Sequence, residues 1–119
     1  MKTLKVGVMP REAYQKRIID IAAGRYIPKR GEPKVWFSSM KSLAQILNES
    51  NVSLLKMIDR EKPETLKQLA LLSGREVSNL SRTLKTLEHY GIVKLVKQKK
   101  TRSIKPVVQA MEFNIHYAA

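Results

Sequence analysis

Apolar residues recur along this chain with two different periods, and the switches between them mark out its elements. Near the N-terminus Leu4, Val6 and Val8 alternate with Lys5 and Gly7, the period of two that predicts a strand. Pro10 suits the first turn of a helix whose Tyr14, Ile18, Ile21 and Ala22 share one face, with Gly24 as its stop. Residues 25–34 hold Pro28, Gly31 and Pro33 among basic residues and read as a connector; Val35-Trp36-Phe37 reads as a short extended segment. Ser39 is placed to cap a helix with Met40, Leu43, Ala44 and Leu47 as its apolar positions. After a break at 48–50 a further helix sets Val52, Leu55 and Ile58 inward, and Pro63 ends it.

The pattern is densest over residues 65–108. Thr65 with Gln68 makes a capping-box pair, Leu66, Leu69, Ala70 and Leu72 form an apolar stripe, and Gly74 can close the helix in the left-handed conformation. Val77, Leu80, Leu84 and Leu87 then recur at helical spacing until Gly91. The opposite face of that helix carries Ser78, Asn79, Arg82 and Lys85, all hydrogen-bond donors. Ile92, Val93, Leu95 and Val96 read as a strand, with Ile104, Val107 and Val108 as its partner and Lys97-Gln98-Lys99-Lys100-Thr101-Arg102-Ser103 between them. At the C-terminus Met111, Phe113, Ile115 and Tyr117 alternate with Glu112, Asn114 and His116, a strand pattern. Strands at both termini need partners for their backbone groups: each other, the local sheet, a second subunit or another protein.

Composition narrows the function classes. At 119 residues and 43% hydrophobic the chain suits one small domain with short appendages, and no apolar run approaches membrane-spanning length. There is no cysteine, so disulfides and thiolate chemistry are excluded; with no secretory signal pattern, the expectation is a cytoplasmic protein. His89 and His116 lie far apart and no ligand-spaced cluster, phosphate loop or paired carboxylates stand out, so no enzyme, metal or cofactor is expected. The net charge of +13 points instead to a polyanionic partner. No acid falls between Glu88 and Glu112, while Lys94, Lys97, Lys99, Lys100, Arg102 and Lys105 all do, so the positive field should peak at the hairpin.

Residues 43–96 resemble the winged-helix core shared by MarR-type and ArsR-type regulators. More closely, GEPKVWFSSMKSLAQIL and GREVSNLSRTLKTLEHYGIVKL look like a small prokaryotic group of MarR-like predicted transcriptional regulators, members of which are often proposed to be antitoxins. The resemblance implies a mainly α fold with a small β-wing, an α+β winged helix-turn-helix, at residues 34–108. It leaves an N-terminal strand–helix extension at 1–33 and a C-terminal strand at 109–119. It also implies that the start of the second helix and the wing meet double-stranded DNA, through Ser78, Asn79, Arg82, Lys99, Lys100 and Arg102. Leu4, Val6, Val8 and the Tyr14-Ile18-Ile21 face are too apolar to stay exposed, so a homodimer is expected through residues before about Lys34, with or without the C-terminal strand. As an antitoxin of the kind the resemblance implies, the protein would also bind a small toxin protein.

The residues themselves set further expectations. Arg82 can donate twice to guanine, or else meets phosphate or pairs with Glu88; Asn79 can read adenine or bond its own backbone. Lys85, Lys97 and Arg75, the last in the turn, suit phosphate. Glu76 departs from the usual short capping residue; it suits the helix dipole but would repel a nearby phosphate. The alternative function is an RNA-binding or ribosome-associated winged-helix module, disfavoured because Tyr90 is the nearest aromatic to the basic surface.

Overall fold

Alternation at the two ends of the chain and helical spacing between them produce an α+β fold, with five helices and two small sheets among the described residues. The computed structural model describes residues 2–118. In chain order the elements are β1 (Lys2–Val8), α1 (Arg11–Ala22), β2 (Val35–Phe37), α2 (Met40–Ile46), α3 (Glu49–Glu61), α4 (Leu66–Ser73), α5 (Val77–His89), β3 (Val93–Lys97), β4 (Ile104–Val108) and β5 (Ala110–Tyr117). One sheet has the order β2-β1-β5, and the other is the β3-β4 pair. The terminal strands therefore pair with each other, one of the arrangements open from the sequence.

Contacts divide the chain into residues 46–111 and a second unit formed by 3–45 together with the strand from 112 on. This division does not coincide with the expected boundaries at 33/34 and 108/109. The cause is β2, which pairs in parallel with β1 through Val6↔Val35, Gly7↔Trp36 and Val8↔Phe37 and so joins the unit of the terminal strands.

In the unit of residues 46–111, each helix is bounded by the groups its sequence supplies. The Asn48 side chain accepts the Asn51 N–H at 2.8 Å to start α3, and Lys62 ends it in the left-handed region at φ 48°. Thr65 Oγ1 accepts the Gln68 N–H at 3.1 Å, while Gln68 Oε1 reaches back to the N–H of Glu64 rather than of Thr65. Gly74, at φ 73°, closes α4. At the end of α5 the Gly91 N–H donates to Glu88 O and the Ile92 N–H to Leu87 O, both at 2.9 Å, a Schellman closure. Leu54, Leu55, Ile58, Leu69, Leu80, Leu84, Leu87, Ile92 and Val93 make the core, on which β4 packs against α3 and α4 and α5 packs against α4 and β3.

In this unit two residues of the expected apolar helix stripes are not core. Leu72 is 47% exposed and Val77 41% exposed. Leu72 occupies the last turn of an eight-residue helix and Val77 the first position of α5, so both lie at helix ends beyond the packed middle, where Leu69 and Leu80 are fully buried.

The other unit has its own core in Val6, Val8, Met9, Phe37 and Leu43. The expected helix forms, but its apolar face is not covered: α1 has no buried residue, and Tyr14 and Ile18 are 40% and 46% exposed. A polar clamp lies on α1 instead. The Arg17 guanidinium lies 5.1 Å from both the Tyr26 and the Trp36 ring centroids and pairs with Glu32 at 2.9 Å. The Tyr26 hydroxyl donates to Glu32 as well. The hydrogen bonds from Tyr26 and then Arg17 hold the Glu32 carboxyl below its ordinary range, and Glu32 in turn raises Arg17. Trp36 lies so close over Gly7 that a side chain there would overlap the indole ring. Residues 25–34, read as a connector, thus supply two of the four clamp residues.

Candidate nucleic-acid interface

Fixing one face of α5 frees the other. Leu80, Leu84 and Leu87 are fully buried, and their helix therefore presents Ser78, Asn79, Arg82 and Lys85 outward, all four exposed. Ser78, Arg82 and Lys85 follow at i, i+4 and i+7, one line along the helix, with Asn79 beside Arg82. Among the described residues none of these side chains makes a hydrogen bond or ion pair. Arg82 does not pair with Glu88, whose Oε2 accepts the Leu95 N–H at 3.0 Å and so ties α5 to β3. Asn79 makes no local backbone bond.

The start of α5 is open. Glu76 provides no side-chain cap, leaving first-turn N–H groups free of a protein acceptor from that residue. Arg75 is engaged more than the sequence implied. Its Nη2 donates to Ser50 O at 3.0 Å and to Ser50 Oγ at 2.5 Å, which pins the turn to the first turn of α3. Ser50, Arg75, Glu76, Ser78, Asn79 and Arg82 together line an open concavity of ≈ 540 Å³. Ser50 carried no signal in the sequence, since its partner is 25 residues away.

The β3-β4 hairpin pairs Val93↔Val108, Leu95↔Pro106 and Lys97↔Ile104. Its loop is organised by Gln98. The Gln98 N–H donates to Ser103 O and the Arg102 N–H to Gln98 O, both at 2.9 Å, while Gln98 Oε1 accepts from the Thr101 and Ser103 hydroxyls. Arg102 sits at φ 56°, a conformation costing a non-glycine residue about 1–2 kcal/mol. Lys97, Lys99, Lys100 and Arg102 all project into solvent. Lys105 does not add to this cluster: it pairs with Glu64 at 3.3 Å. Gln98 Nε2 also donates to Glu64, at 2.9 Å, and these two contacts, Gln98 first, hold the Glu64 carboxyl below its ordinary range. Glu64 thus fastens the base of the hairpin to the start of α4 and leaves the loop cations unneutralised.

Among the described residues no group of three or more histidines and carboxylates is placed to hold a metal ion, and no helix is long and apolar enough to cross a membrane. His89 packs edge-on against Tyr90, with ring centroids 5.0 Å apart.

Residues 46–115 match the HVO_A0114 family, and the chain belongs to it. The match runs from the residues just before α3 into β5 and takes in both α5 and the hairpin. No curated protein matches the chain.

Proposed function

We propose that the protein is a sequence-specific regulator that binds double-stranded DNA, with α4 and α5 as a helix-turn-helix and the β3-β4 hairpin as its wing. One observation carries this reading. Four exposed side chains on α5, free of internal partners, stand on a rigid leucine-packed helix beside a hairpin loop whose cations are not paired with acids. A helix set in the major groove needs that division between a buried stripe and an outward row of donors. Arg82, in the middle of the row, is the base-reading residue, and Asn79 its neighbour on the same strand of contacts. Ser78, Lys85 and the loop residues Lys97, Lys99, Lys100 and Arg102 meet phosphate. Arg75, held by Ser50, orients the turn and offers its remaining N–H groups to the backbone. Glu76 keeps the first turn of α5 slightly off the phosphates. This reading entails a cytoplasmic site of action, and in the antitoxin form that the resemblance implies, a small toxin protein would be a second partner.

Titration of a selected duplex and a scrambled one at several salt concentrations tests the reading. Arg82→Ala is expected to weaken the selected duplex by about 1–3 kcal/mol and to relax preference at one base position. Lys100→Ala should weaken both duplexes alike and reduce the salt slope by about one unit. Failure to select any duplex, or tighter binding to RNA than to DNA, would overturn the proposal.

A further inference from the structure

β1 lies between β2 and β5, so β5 is an edge strand; its first residue, Ala110, donates its N–H to Ile92 O, and the free edge runs on from there. The Ala118 N–H donates to Val8 O at 2.8 Å. The Lys2 N–H donates to Gln109 O at 3.1 Å in a register one residue off from this, so the strand bulges near its start; the Thr3 hydroxyl on Glu112 already fits the register of Ala118. From Glu112 on, the alternation of backbone groups points those of Phe113, Ile115 and Tyr117 to the open side. Proteins blunt such edges with short strands, lysines or prolines. β5 has none of these: it is eight residues long, and Ala-Met-Glu-Phe-Asn-Ile-His-Tyr holds no lysine, arginine, proline or glycine. In a chain of net charge +13, a strand without lysine or arginine adds no cation–cation repulsion where two copies approach along it.

We propose that β5 pairs antiparallel with β5 of a second copy, about a two-fold axis at Asn114, to give one continuous sheet across a homodimer. The axis follows from the order of residues. Counted outward from Asn114, Phe113 meets Ile115, Glu112 meets His116 and Met111 meets Tyr117, each pair occurring twice by symmetry. Residues directly opposite in an antiparallel pair stand on the same face, so apolar meets apolar on one side and carboxylate meets imidazole on the other. An axis between two residues would set Phe113 against Asn114 and Glu112 against Ile115. Axes at Phe113 or Ile115 keep the faces separate but lose the Glu112–His116 pair. With the axis at Asn114, the outward backbone groups of Phe113 and Ile115 bond each other across it. Glu112 and His116 then occupy a close, non-hydrogen-bonded position where side chains touch. Glu112 is exposed and gives one carboxylate oxygen to the Thr3 hydroxyl, leaving the other for His116 of the second copy. Ile115 and Tyr117, 51% and 66% exposed, gain apolar neighbours in Phe113 and Met111 of the second copy. This pairing sets the dimer on the C-terminal strand, whereas the sequence led to the residues before Lys34.

The pairing does not depend on the DNA reading, and its test contains no DNA. Light scattering and sedimentation of the full chain at micromolar concentration should show a dimer. Ile115→Pro removes an outward N–H that the monomer does not use, so circular dichroism should be retained while the dimer is lost. His116→Glu sets two carboxylates opposite each other and should weaken dimerisation about tenfold, whereas Glu112→Lys with His116→Glu restores opposite charges and should return it to within about threefold. A monomeric parent chain, a folded Ile115→Pro chain that remains dimeric, or a double variant no tighter than His116→Glu would each overturn the proposal.

Discussion

The helices α1 and α5 start and end alike and yet differ in almost everything that follows. Both begin without a side-chain cap, at Pro10 and Glu76, and both are followed by a glycine at positive φ, Gly24 at 76° and Gly91 at 77°. Both show apolar residues at helical spacing in the sequence. In α5 the stripe is three leucines, each fully buried; in α1 the stripe of Tyr14, Ile18 and Ile21 buries no residue. Periodicity therefore identifies a helix and its apolar face but says nothing about whether a neighbour covers that face. α5 packs against α4 and β3, which its own short turns bring to it. α1 instead carries one arginine seated between two aromatic rings and a carboxylate.

The contrast is sharpest in truncations. Leu84→Ala should destabilise the unit of residues 46–111 by about 2–5 kcal/mol in denaturant unfolding, because it empties a filled interior site. Ile18→Ala should change stability by no more than about 0.5 kcal/mol, as at other exposed positions. Similar losses at the two sites would break the comparison and mean that α1 is covered in solution. That result would also direct attention to its apolar face as an interface.

A smaller effect is expected at the clamp. Arg17→Lys keeps the charge but loses the planar group that fits between Tyr26 and Trp36 and reaches Glu32. Amide exchange in α1 should quicken several-fold, with a stability loss of about 1 kcal/mol, while α5 exchange stays as it was. Unchanged exchange in α1 would show that the clamp decorates the helix without holding it.

The smallest effect is one of pH, and it acts on both units. Glu32 and Glu64 have their carboxyl values lowered in the folded state, so each contributes stability when ionised. That contribution is fully present above the ordinary glutamate range and is lost as pH falls through the lowered folded values. Acid titration followed by amide exchange should therefore loosen the Arg17 clamp and the base of the hairpin, with no change from neutral to mildly alkaline pH. Glu64→Gln should abolish the acid response at the hairpin and leave that of the clamp intact. A hairpin response that survives this substitution assigns it to another group.

Much of the candidate interface was legible because it is local. Ser78, Asn79, Arg82 and Lys85 could be placed on one helix face from spacing alone, since the leucines opposite them fix the rotation of the helix. Lys97, Lys99, Lys100 and Arg102 could be placed on a hairpin loop by the apolar strands on either side. What spacing could not give was which cations remain unpaired. Lys105 is neutralised by Glu64 and Arg75 is engaged by Ser50, across 41 and 25 residues of chain. Nor did Gln98 stand out among its lysines, although it is the residue that knits the loop and ties it to Glu64.

By itself, the sequence determined the helices, the caps at Ser39, Thr65, Gly74 and Gly91, the hairpin and the alternation of both terminal strands, because hydrogen-bonded turns, glycine at positive φ and side-chain period are properties of a few neighbouring residues. Only the tertiary structure decided that β1 joins β2 and β5, that residues 35–45 belong with the terminal strands, and that the stripe of α1 stays open while that of α5 is filled. Those outcomes depend on which distant backbone edges and apolar faces meet, and a local period carries no information about its partner.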